Sequence, residues 1–233
     1  MLTIKHALIM AAGRGTRMIP LTDVIPKPMA PYRCTTLIAD GIGRIRQYFD
    51  NIHITVGYMG KTLAEHVVDL GVSSVFNTSG KGNAWWIYNT LMKHLDEPVV
   101  ILTCDNVVDL AFDQIAKDYD DLSQPACMVV PARPVAGLDG DYIFHRDNVI
   151  VKLDRHTPSD SYCSGIQVLN PHRINCLTTE TDDFYSVWDQ LIGQQQLFAS
   201  NVYPKQWFAV DTIEHLDKLN SIEPGVTGYG ETV

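Results

Sequence analysis

The sequence has 233 residues, 45% of them hydrophobic, so it can bury one sizeable core, and a second full domain is not expected. Its formal net charge of −9 argues against nucleic acid or an anionic membrane surface as the main partner. The five cysteines include no C-x-x-C pair, which disfavours a zinc site or a disulfide framework. No apolar stretch approaches the roughly 18 residues of a membrane span. We therefore expect a cytoplasmic protein that is a monomer or a homodimer.

The first half of the chain alternates predicted strands and helices. Short apolar runs predict strands at residues 7–10, 52–56, 74–77 and 99–103, and apolar residues at helical spacing predict helices at 37–49, 63–70 and 84–95. This order predicts an α/β fold built on a doubly wound, mostly parallel sheet with helices on both faces. In such a sheet, ligands bind at the carboxyl ends of the strands.

The second half of the chain is less regular. It contains predicted strands at 126–130, 164–169 and 207–210, a hairpin of 142–144 and 149–153, and helices at 182–192 and 212–219. Asp211 or Thr212 is placed to cap the last helix. We expect a single domain over residues 1–222, with halves that meet near residue 125, and a disordered tail over 223–233.

The segment 11–28, which follows the first predicted strand, is the most informative part of the sequence. Gly13 and Gly15 let the backbone turn tightly and bring its N–H groups against a ligand. Arg17 and Lys27 add a guanidinium and an ammonium near the same loop. Backbone donors and two cations together describe a cradle for a polyphosphate. We expect its backbone wall to be formed by Ala11, Ala12, Gly13, Arg14, Gly15 and Thr16.

Two common phosphate-binding loops fit this segment poorly. A dinucleotide-binding fingerprint needs a small residue where Met18 stands and a helix that begins at once, which Pro20, Pro26 and Pro28 oppose. A Walker-type loop needs Gly-Lys-Ser or Gly-Lys-Thr after four spacer residues, and the sequence has no such run.

The run Gly-Arg-Gly-Thr-Arg-Met at 13–18, followed by Pro-Leu-Thr at 20–22 and Pro-Lys-Pro at 26–28, resembles a known signature. It is similar to the Gly-x-Gly-x-Arg, spacer, Pro-Lys pattern of the nucleotidyltransferases that make sugar nucleotides and CDP-linked alcohols. The resemblance implies a Rossmann-like nucleotidyltransferase fold, with the nucleotide bound by residues 1–125 and the acceptor by residues 126–222. It also implies transfer from a nucleoside triphosphate with release of pyrophosphate, Mg²⁺ as cofactor, and Arg17 and Lys27 as the catalytic residues.

Two carboxylates are candidates for the metal. An acceptor that is a phosphate monoester is already largely dianionic at neutral pH, so positioning, charge neutralisation and a divalent metal suffice without a general base. Asp105 follows the strand at 99–103, where the family carries an Asp, and is assigned to the metal and the nucleotide. Asp211 is the natural second ligand, with a plain helix cap as its alternative role.

Residues 77–91 narrow the class further. They resemble the Asn-rich start and Tyr-Ser-Leu run of bacterial choline-phosphate cytidylyltransferases more than the Gly-Gly-Thr helix start of most sugar-1-phosphate enzymes. Asn83 is accordingly expected at the nucleotide. Residues 183–189 resemble the Tyr-Trp-Asp helix of the same group, to which the phosphoglutamine cytidylyltransferases of capsule pathways are related.

The acceptor site is expected between this helix and the hairpin. Tyr185, Trp188 and Asp189 would enclose a small amine or amide by cation–π and charge contacts, although Trp188 also lies on the apolar stripe of its helix. Lys152 on the hairpin is the candidate for the acceptor phosphate. Arg155 and His156 are its rivals, and a solvent-exposed structural lysine is the alternative.

These observations favour a cytidylyltransferase that moves CMP from CTP to a small phosphorylated metabolite resembling phosphocholine or phosphoglutamine, in the decoration of a capsule or surface polysaccharide. A sugar-1-phosphate nucleotidyltransferase that uses UTP or CTP is the alternative. A catalytically silent nucleotide-binding domain is the second alternative, which the joint presence of Arg17, Lys27, Asp105 and Asp211 disfavours.

Overall fold

The computed structural model describes residues 4–134 and 140–222 and places thirteen strands and seven α-helices within them. The strands are β1 (His6–Ala11), β2 (Pro31–Tyr32), β3 (Thr35–Thr36), β4 (Asn51–Val56), β5 (Ser74–Asn77), β6 (Val99–Thr103), β7 (Asn106–Asp109), β8 (Cys127–Ala132), β9 (Tyr142–Arg146), β10 (Val149–Asp154), β11 (Tyr162–Leu169), β12 (Leu197–Ala199) and β13 (Gln206–Ala209). The helices are α1 (Leu37–Ile45), α2 (Gly60–Asp69), α3 (Trp85–Asn89), α4 (Phe112–Asp121), α5 (Pro171–Leu177), α6 (Phe184–Gly193) and α7 (Ile213–Asn220).

Nine strands form one central sheet, in the spatial order β5-β4-β1-β6-β11-β8-β12-β10-β9. β5, β4, β1 and β6 are parallel, as are β8 and β12, whereas β11 is antiparallel to both of its neighbours in that order. The predicted α/β fold is confirmed. The register pairs Ala11 with Val56 and Met10 with Thr103, so the carboxyl ends of β1, β4 and β6 lie at one edge of the sheet.

Apolar residues pack on both faces of this sheet, because alternate residues of a strand point to opposite sides. In β1, Ala7 and Ile9 pack in the layer that contains α1, α2 and α4, whereas Leu8 packs in the layer that contains α3, α5 and α6. Burial of this kind stabilises by roughly 25 cal/mol per Å² of apolar surface. A third cluster, which includes Met18, Tyr32 and Leu216, fastens the loop after β1 to α7.

The predicted helix at 84–95 is wrong as a single element. α3 ends at Asn89, and a 3₁₀ helix covers Leu91–His94. Thr90 between them has an extended backbone, with φ −116° and ψ 177°, and its hydroxyl accepts a hydrogen bond from the backbone N–H of Met92. A threonine side chain that offers this local bond competes with the helical one, so the helix divides there.

The predicted hairpin is confirmed by the antiparallel pairing of β9 and β10. The sequence analysis did not anticipate β7, β12, α4 or α5. The strand β13 was expected, but it pairs with β7 in a separate two-stranded sheet instead of joining the central one. The expected tail at 223–233 lies outside the described residues. Across 4–134 and 140–222, no helix combines the length and apolar character needed to span a membrane.

Two histidines lie together near the amino ends of β1 and β4. His53 shares a hydrogen bond of 3.0 Å with His6 and another of 2.8 Å with Ser74, and the two imidazole rings stack. Burial, with a smaller contribution from His6, lowers the pKa of His53 to about 4, and burial also lowers the pKa of His6. The folded protein therefore holds His53 neutral at pH values where the unfolded chain binds a proton.

The pKa of His53 predicts that the protein loses stability in mild acid. Its pKa in the unfolded chain is about 6.5, so as the pH falls from 6.5 towards 4 the unfolded chain takes up a proton that the folded chain refuses. The free energy of unfolding, measured with urea at pH 7 and pH 5, should fall with pH in both proteins. The fall should be smaller in His53→Gln than in the wild type, by about 2 kcal/mol. His145→Gln, at an exposed histidine, serves as the control and should follow the wild type. Equal losses in His53→Gln and the wild type would contradict the assignment.

Candidate active site

The loop after β1 folds back over its own start. Gly15 has a left-handed backbone, with φ 67°, and its carbonyl accepts hydrogen bonds from the Met18 N–H (2.9 Å) and the Thr22 hydroxyl (3.0 Å). A Cβ on Gly15 would lie 2.8 Å from both Cβ and Cδ of Lys27. Only glycine suits this position, because it accepts the positive φ and leaves room for the lysine stem.

Four charged side chains meet at this loop. The Lys27 ammonium donates to Asp105 Oδ2 at 2.6 Å and to Asp211 Oδ1 at 3.3 Å. Arg17 Nη2 lies 2.9 Å from the same Asp211 oxygen. The side chain of Lys27 is only 9% exposed, whereas that of Arg17 is 68% exposed. The cluster thus has a buried cation at its centre and a solvent-facing one at its rim.

The protonation of Lys27 follows from its two partners. Burial by itself would lower the pKa of the ammonium, but Asp105, through charge and hydrogen bond, and Asp211 outweigh it, so the pKa of Lys27 is raised above its ordinary value. The lysine is a full cation at neutral pH.

The two carboxylates come from distant parts of the sequence and are brought together by the small sheet of β7 and β13. Asn106 pairs with Ala209 in that sheet, and the backbone N–H of Val210 donates to the carbonyl of Asp105 at 2.8 Å. Thr212, rather than Asp211, caps α7, because its hydroxyl accepts from the His215 N–H. The Asp211 carboxylate is therefore directed at the cluster and not at the helix.

The cluster forms part of the wall of a cleft of ≈ 490 Å³ at the carboxyl ends of the parallel strands. Its lining is Met10, Ala12, Gly13, Gly15, Thr16, Arg17, Lys27, Thr55, Thr78, Gly80, Lys81, Gly82, Asn83, Thr103, Cys104, Asp105 and Asp211. Most residues proposed for the nucleotide are in this set. Ala11 and Arg14 are not: Ala11 is buried in β1, and Arg14 lies over the ring of Tyr58 and pairs with Asp23.

The sequence analysis missed Thr103 and the residues at 78–82. Thr103 lines this cleft, and within the described residues its buried hydroxyl has no hydrogen-bond partner. Most buried polar groups do have such a partner. The available signal was a polar residue that ends an apolar strand two positions before Asp105.

The wall at 80–83 is fastened to the amino end of α6. Asn83 Oδ1 accepts from the Phe184 N–H at 2.9 Å, and the Ala84 N–H donates to the Asp182 carbonyl at 3.0 Å. A Cβ on Gly82 would lie only 2.0 Å from that Asp182 carbonyl oxygen. The side-chain carbonyl of Asn83, a residue that also lines the cleft, is thus engaged with α6.

The residues expected at the acceptor divide into two groups. Tyr185 is exposed, donates to the Leu153 carbonyl at 3.4 Å and stacks under the guanidinium of Arg155, whose Nε donates to Asp141 at 2.9 Å. Lys152 is instead paired with Asp154 at 2.5 Å and lies over the ring of Phe144. Of Lys152 and Arg155, Arg155 is thus the one brought to Tyr185.

The two remaining residues of α6 differ in their surroundings. The indole of Trp188 packs against Phe184 and donates to Gln167 Oε1 at 3.0 Å, so it is directed at the sheet. Asp189 is exposed on the surface of α6. Trp188 accordingly holds the helix in place, as its position on the apolar stripe predicts.

Comparison with known proteins identifies the class to which this site belongs. Residues 6–137 match the model of the nucleotidyl transferase family, which is more than half of the chain, and the chain belongs to that family.

Curated relatives of the chain act on different substrates. The mannose-1-phosphate guanylyltransferase catalytic subunit beta of Drosophila melanogaster is 22% identical over 210 residues, covering 84% of this chain and 57% of that protein. The UTP–glucose-1-phosphate uridylyltransferase of a Synechocystis strain is 27% identical over 145 residues, covering 55% of this chain and 37% of that protein. The chain thus spans little more than half the length of the first of these relatives.

Solved structures share the fold. A CTP:phosphocholine cytidylyltransferase from Streptococcus pneumoniae matches with a TM-score of 0.72 and 19% identity, covering 94% of this chain and 98% of that one. An inositol-1-phosphate CTP transferase from T. maritima matches with a TM-score of 0.70 and 17% identity, at the same coverage. At these identities the likeness is one of fold.

The charge cluster predicts a large effect of removing its central cation. Lys27→Ala leaves the carboxylates of Asp105 and Asp211 close together without the cation that separates them. Because their repulsion is poorly screened in this partly buried site, the free energy of unfolding should fall by about 2 kcal/mol when no metal is present. Adding Asp105→Asn should recover most of that loss, because one of the opposed charges is then gone. Urea unfolding at pH 7.5 measures both.

The control for this experiment is Lys61→Ala, at a lysine that is 89% exposed and pairs only loosely with Glu65. A change below about 0.5 kcal/mol is expected there. If Lys27→Ala were as stable as this control, the cluster would not contribute to the fold.

Proposed function

We propose that this protein is a Mg²⁺-dependent cytidylyltransferase that transfers CMP from CTP to a small phosphorylated metabolite, with release of pyrophosphate. The observation that carries the proposal is the cluster of Lys27, Arg17, Asp105 and Asp211 in the wall of the cleft. It combines two cations for phosphate oxygens with two carboxylates for a metal. A domain that only bound a nucleotide would not need both carboxylates.

The donor set suits Mg²⁺, a hard cation that prefers oxygen ligands. Asp105 and Asp211 would hold the ion, since an oxygen of each already lies within hydrogen-bond distance of one cationic atom, Lys27 Nζ. When bound, Mg²⁺ neutralises phosphate charge and favours expulsion of pyrophosphate. The protein itself would neutralise the remaining phosphate charge and orient the reacting groups.

In the reaction, an oxygen of the acceptor phosphate attacks the α-phosphorus of CTP while the bond to the pyrophosphate oxygen breaks. Lys27 and Arg17 neutralise the charge on the phosphate oxygens, and the N–H groups of the loop after β1 orient them. Cys104 lines the cleft but is no nucleophile, because burial and the adjacent Asp105 raise the pKa of its thiol. We accordingly propose a direct transfer, in which Cys104 forms no covalent intermediate.

The base of the nucleotide would lie along the wall at 78–83. Gly80 has no side chain to cover the backbone of this wall, and Gly82 and Asn83 line the same cleft. Backbone carbonyls there would accept from the amino group of cytosine, where uracil offers only an acceptor. The choice of CTP over UTP rests on this wall, because the solved structures named as CTP enzymes share only the fold.

The acceptor would lie between α6 and the hairpin β9–β10. Arg155 is held by Asp141, whose carbonyl also accepts from the Cys163 N–H at 2.8 Å. The carbonyl of the next residue, Ser164, accepts a hydrogen bond from the side-chain amide of Asn106, which directly follows Asp105. This chain of contacts links Arg155 to the charge cluster, so we assign the phosphate of the acceptor substrate to Arg155. We assign an amine or amide N–H of the same substrate to Tyr185 and Asp189.

The choice of nucleotide and acceptor can be tested together. Pyrophosphate release should be measured with each of the four nucleoside triphosphates against phosphocholine, phosphoglutamine and glucose-1-phosphate. We expect kcat/KM with CTP to exceed that with UTP by about tenfold or more, since an acceptor of this wall would then face an acceptor of uracil.

Two results would contradict this expectation. Equal kcat/KM values with CTP and UTP would contradict the proposed contacts to the base. A preference for UTP or GTP with a sugar-1-phosphate would establish the alternative, a sugar-1-phosphate nucleotidyltransferase, which the names of the curated relatives favour.

The acceptor assignment predicts a selective change in KM. Arg155→Ala and Asp189→Ala should each raise KM for the acceptor by about five- to tenfold, because each removes a charged contact. KM for CTP should stay within about twofold, because neither residue lines the nucleotide cleft. Initial rates at saturating co-substrate measure both constants.

Lys152→Ala is the matched comparison on the same hairpin. Because Lys152 lies over the ring of Phe144, whereas Arg155 lies over that of Tyr185, the loss of Lys152 should leave KM for the acceptor within about twofold. If Lys152→Ala had the larger effect, the phosphate would belong to Lys152 and not to Arg155.

A further inference from the structure

Lys27 is a cation placed where a metal would bind. Its Nζ lies 2.6 Å from Asp105 Oδ2 and 3.3 Å from Asp211 Oδ1, and its side chain is 9% exposed. Each carboxylate is on a different element, Asp105 after β6 and Asp211 before α7. The ammonium therefore holds together three segments of the chain by charge.

A divalent ion and this ammonium cannot share the place. The ion needs the same carboxylate oxygens at about 2.0–2.1 Å, and two cations that close would repel strongly in a partly buried site. One of them must be elsewhere whenever the other is between the carboxylates.

We propose that Lys27 is the resident counter-cation of the metal site, so that a divalent ion binds tightly only together with a nucleotide whose phosphates receive the ammonium. The proposal rests on the proposed function, because it takes Asp105 and Asp211 as the metal ligands. In this role the Lys27 ammonium makes binding of the metal dependent on the nucleotide. It also neutralises the repulsion between the two carboxylates while no metal is bound.

The surroundings of Lys27 allow this exchange. An ammonium at the end of a four-carbon stem can turn from one anion to another, which a bidentate guanidinium does less readily. Gly15 has no side chain to block the stem of Lys27, which passes directly over it. Arg17, 2.9 Å from Asp211 Oδ1, compensates that carboxylate until the ion takes its place, and its side chain, which is 68% exposed, then turns to the phosphates as Lys27 does.

The test is binding of Mn²⁺ alone, without nucleotide, measured by the electron paramagnetic resonance of free Mn²⁺. Mn²⁺ is used because it prefers the same oxygen ligands as Mg²⁺. Lys27→Met removes the charge and keeps most of the stem, and it should bind Mn²⁺ at least tenfold more tightly than the wild type. Lys27→Arg keeps the charge and should bind as weakly as the wild type.

A control variant separates this effect from the general loss of a positive charge. Lys81→Met removes a lysine that lines the same cleft and lies over Trp85. It should leave Mn²⁺ affinity within about twofold of the wild type. An equal gain in Lys81→Met would overturn the proposal.

Stability supplies a second readout. Lys27→Met should unfold more easily than the wild type without metal, and Mn²⁺ should raise its melting temperature more than that of the wild type. If the variant does not fold without metal, it should refold when millimolar Mn²⁺ is added. Failure to recover in Mn²⁺ would overturn the proposal.

Two further outcomes distinguish this proposal from the proposed function. Wild-type protein that binds Mn²⁺ as tightly as Lys27→Met would overturn the counter-cation role and leave the transferase assignment intact. A gain that persists in Lys27→Met/Asp105→Asn would show that the metal does not use this carboxylate, which contradicts the metal site in the proposed function as well.

Discussion

The attraction between the Lys27 ammonium and the carboxylates of Asp105 and Asp211 is the interaction on which this site depends. It joins the loop after β1, the end of β6 and the start of α7, which are remote in sequence. The apolar cluster around Met18, Tyr32 and Leu216 fastens the same loop and helix by packing. Charge attraction and apolar packing thus stabilise the same arrangement. The charge of the buried lysine is compensated because both carboxylates are held in place.

The architecture explains why these charges converge at one edge. Parallel strands end together, so β1 and β6 deliver the loop and Asp105 to the same place. The small sheet of β7 and β13 then returns the chain from the second half and places Asp211 beside Asp105. A protein with a net charge of −9 nevertheless presents cations in this cleft, since a local cluster, and not the total charge, sets the potential that a phosphate meets.

The cleft wall at 80–83 and α6 are mechanically connected. The hydrogen bonds of Asn83 with Phe184 and of Ala84 with Asp182 join this wall to α6, and the close approach of Gly82 to the Asp182 carbonyl leaves no space between them. A shift of α6 would therefore move this wall of the cleft. Trp188 and its bond to Gln167 hold the same helix on the sheet.

The sequence by itself determined the α/β fold, the loop and its cations, because a glycine-rich turn after an apolar strand is encoded locally and read from neighbouring residues. It also placed Asp105 at a strand end and the hairpin at β9 and β10. It could not decide whether Lys152 or Arg155 meets Tyr185 of α6, nor whether Asp211 or Thr212 caps α7, because both depend on how segments far apart in sequence pack. The division of the helix at Thr90 and the burial of Thr103 were equally beyond it. Such features are set by contacts between segments far apart in sequence, and no local propensity records them.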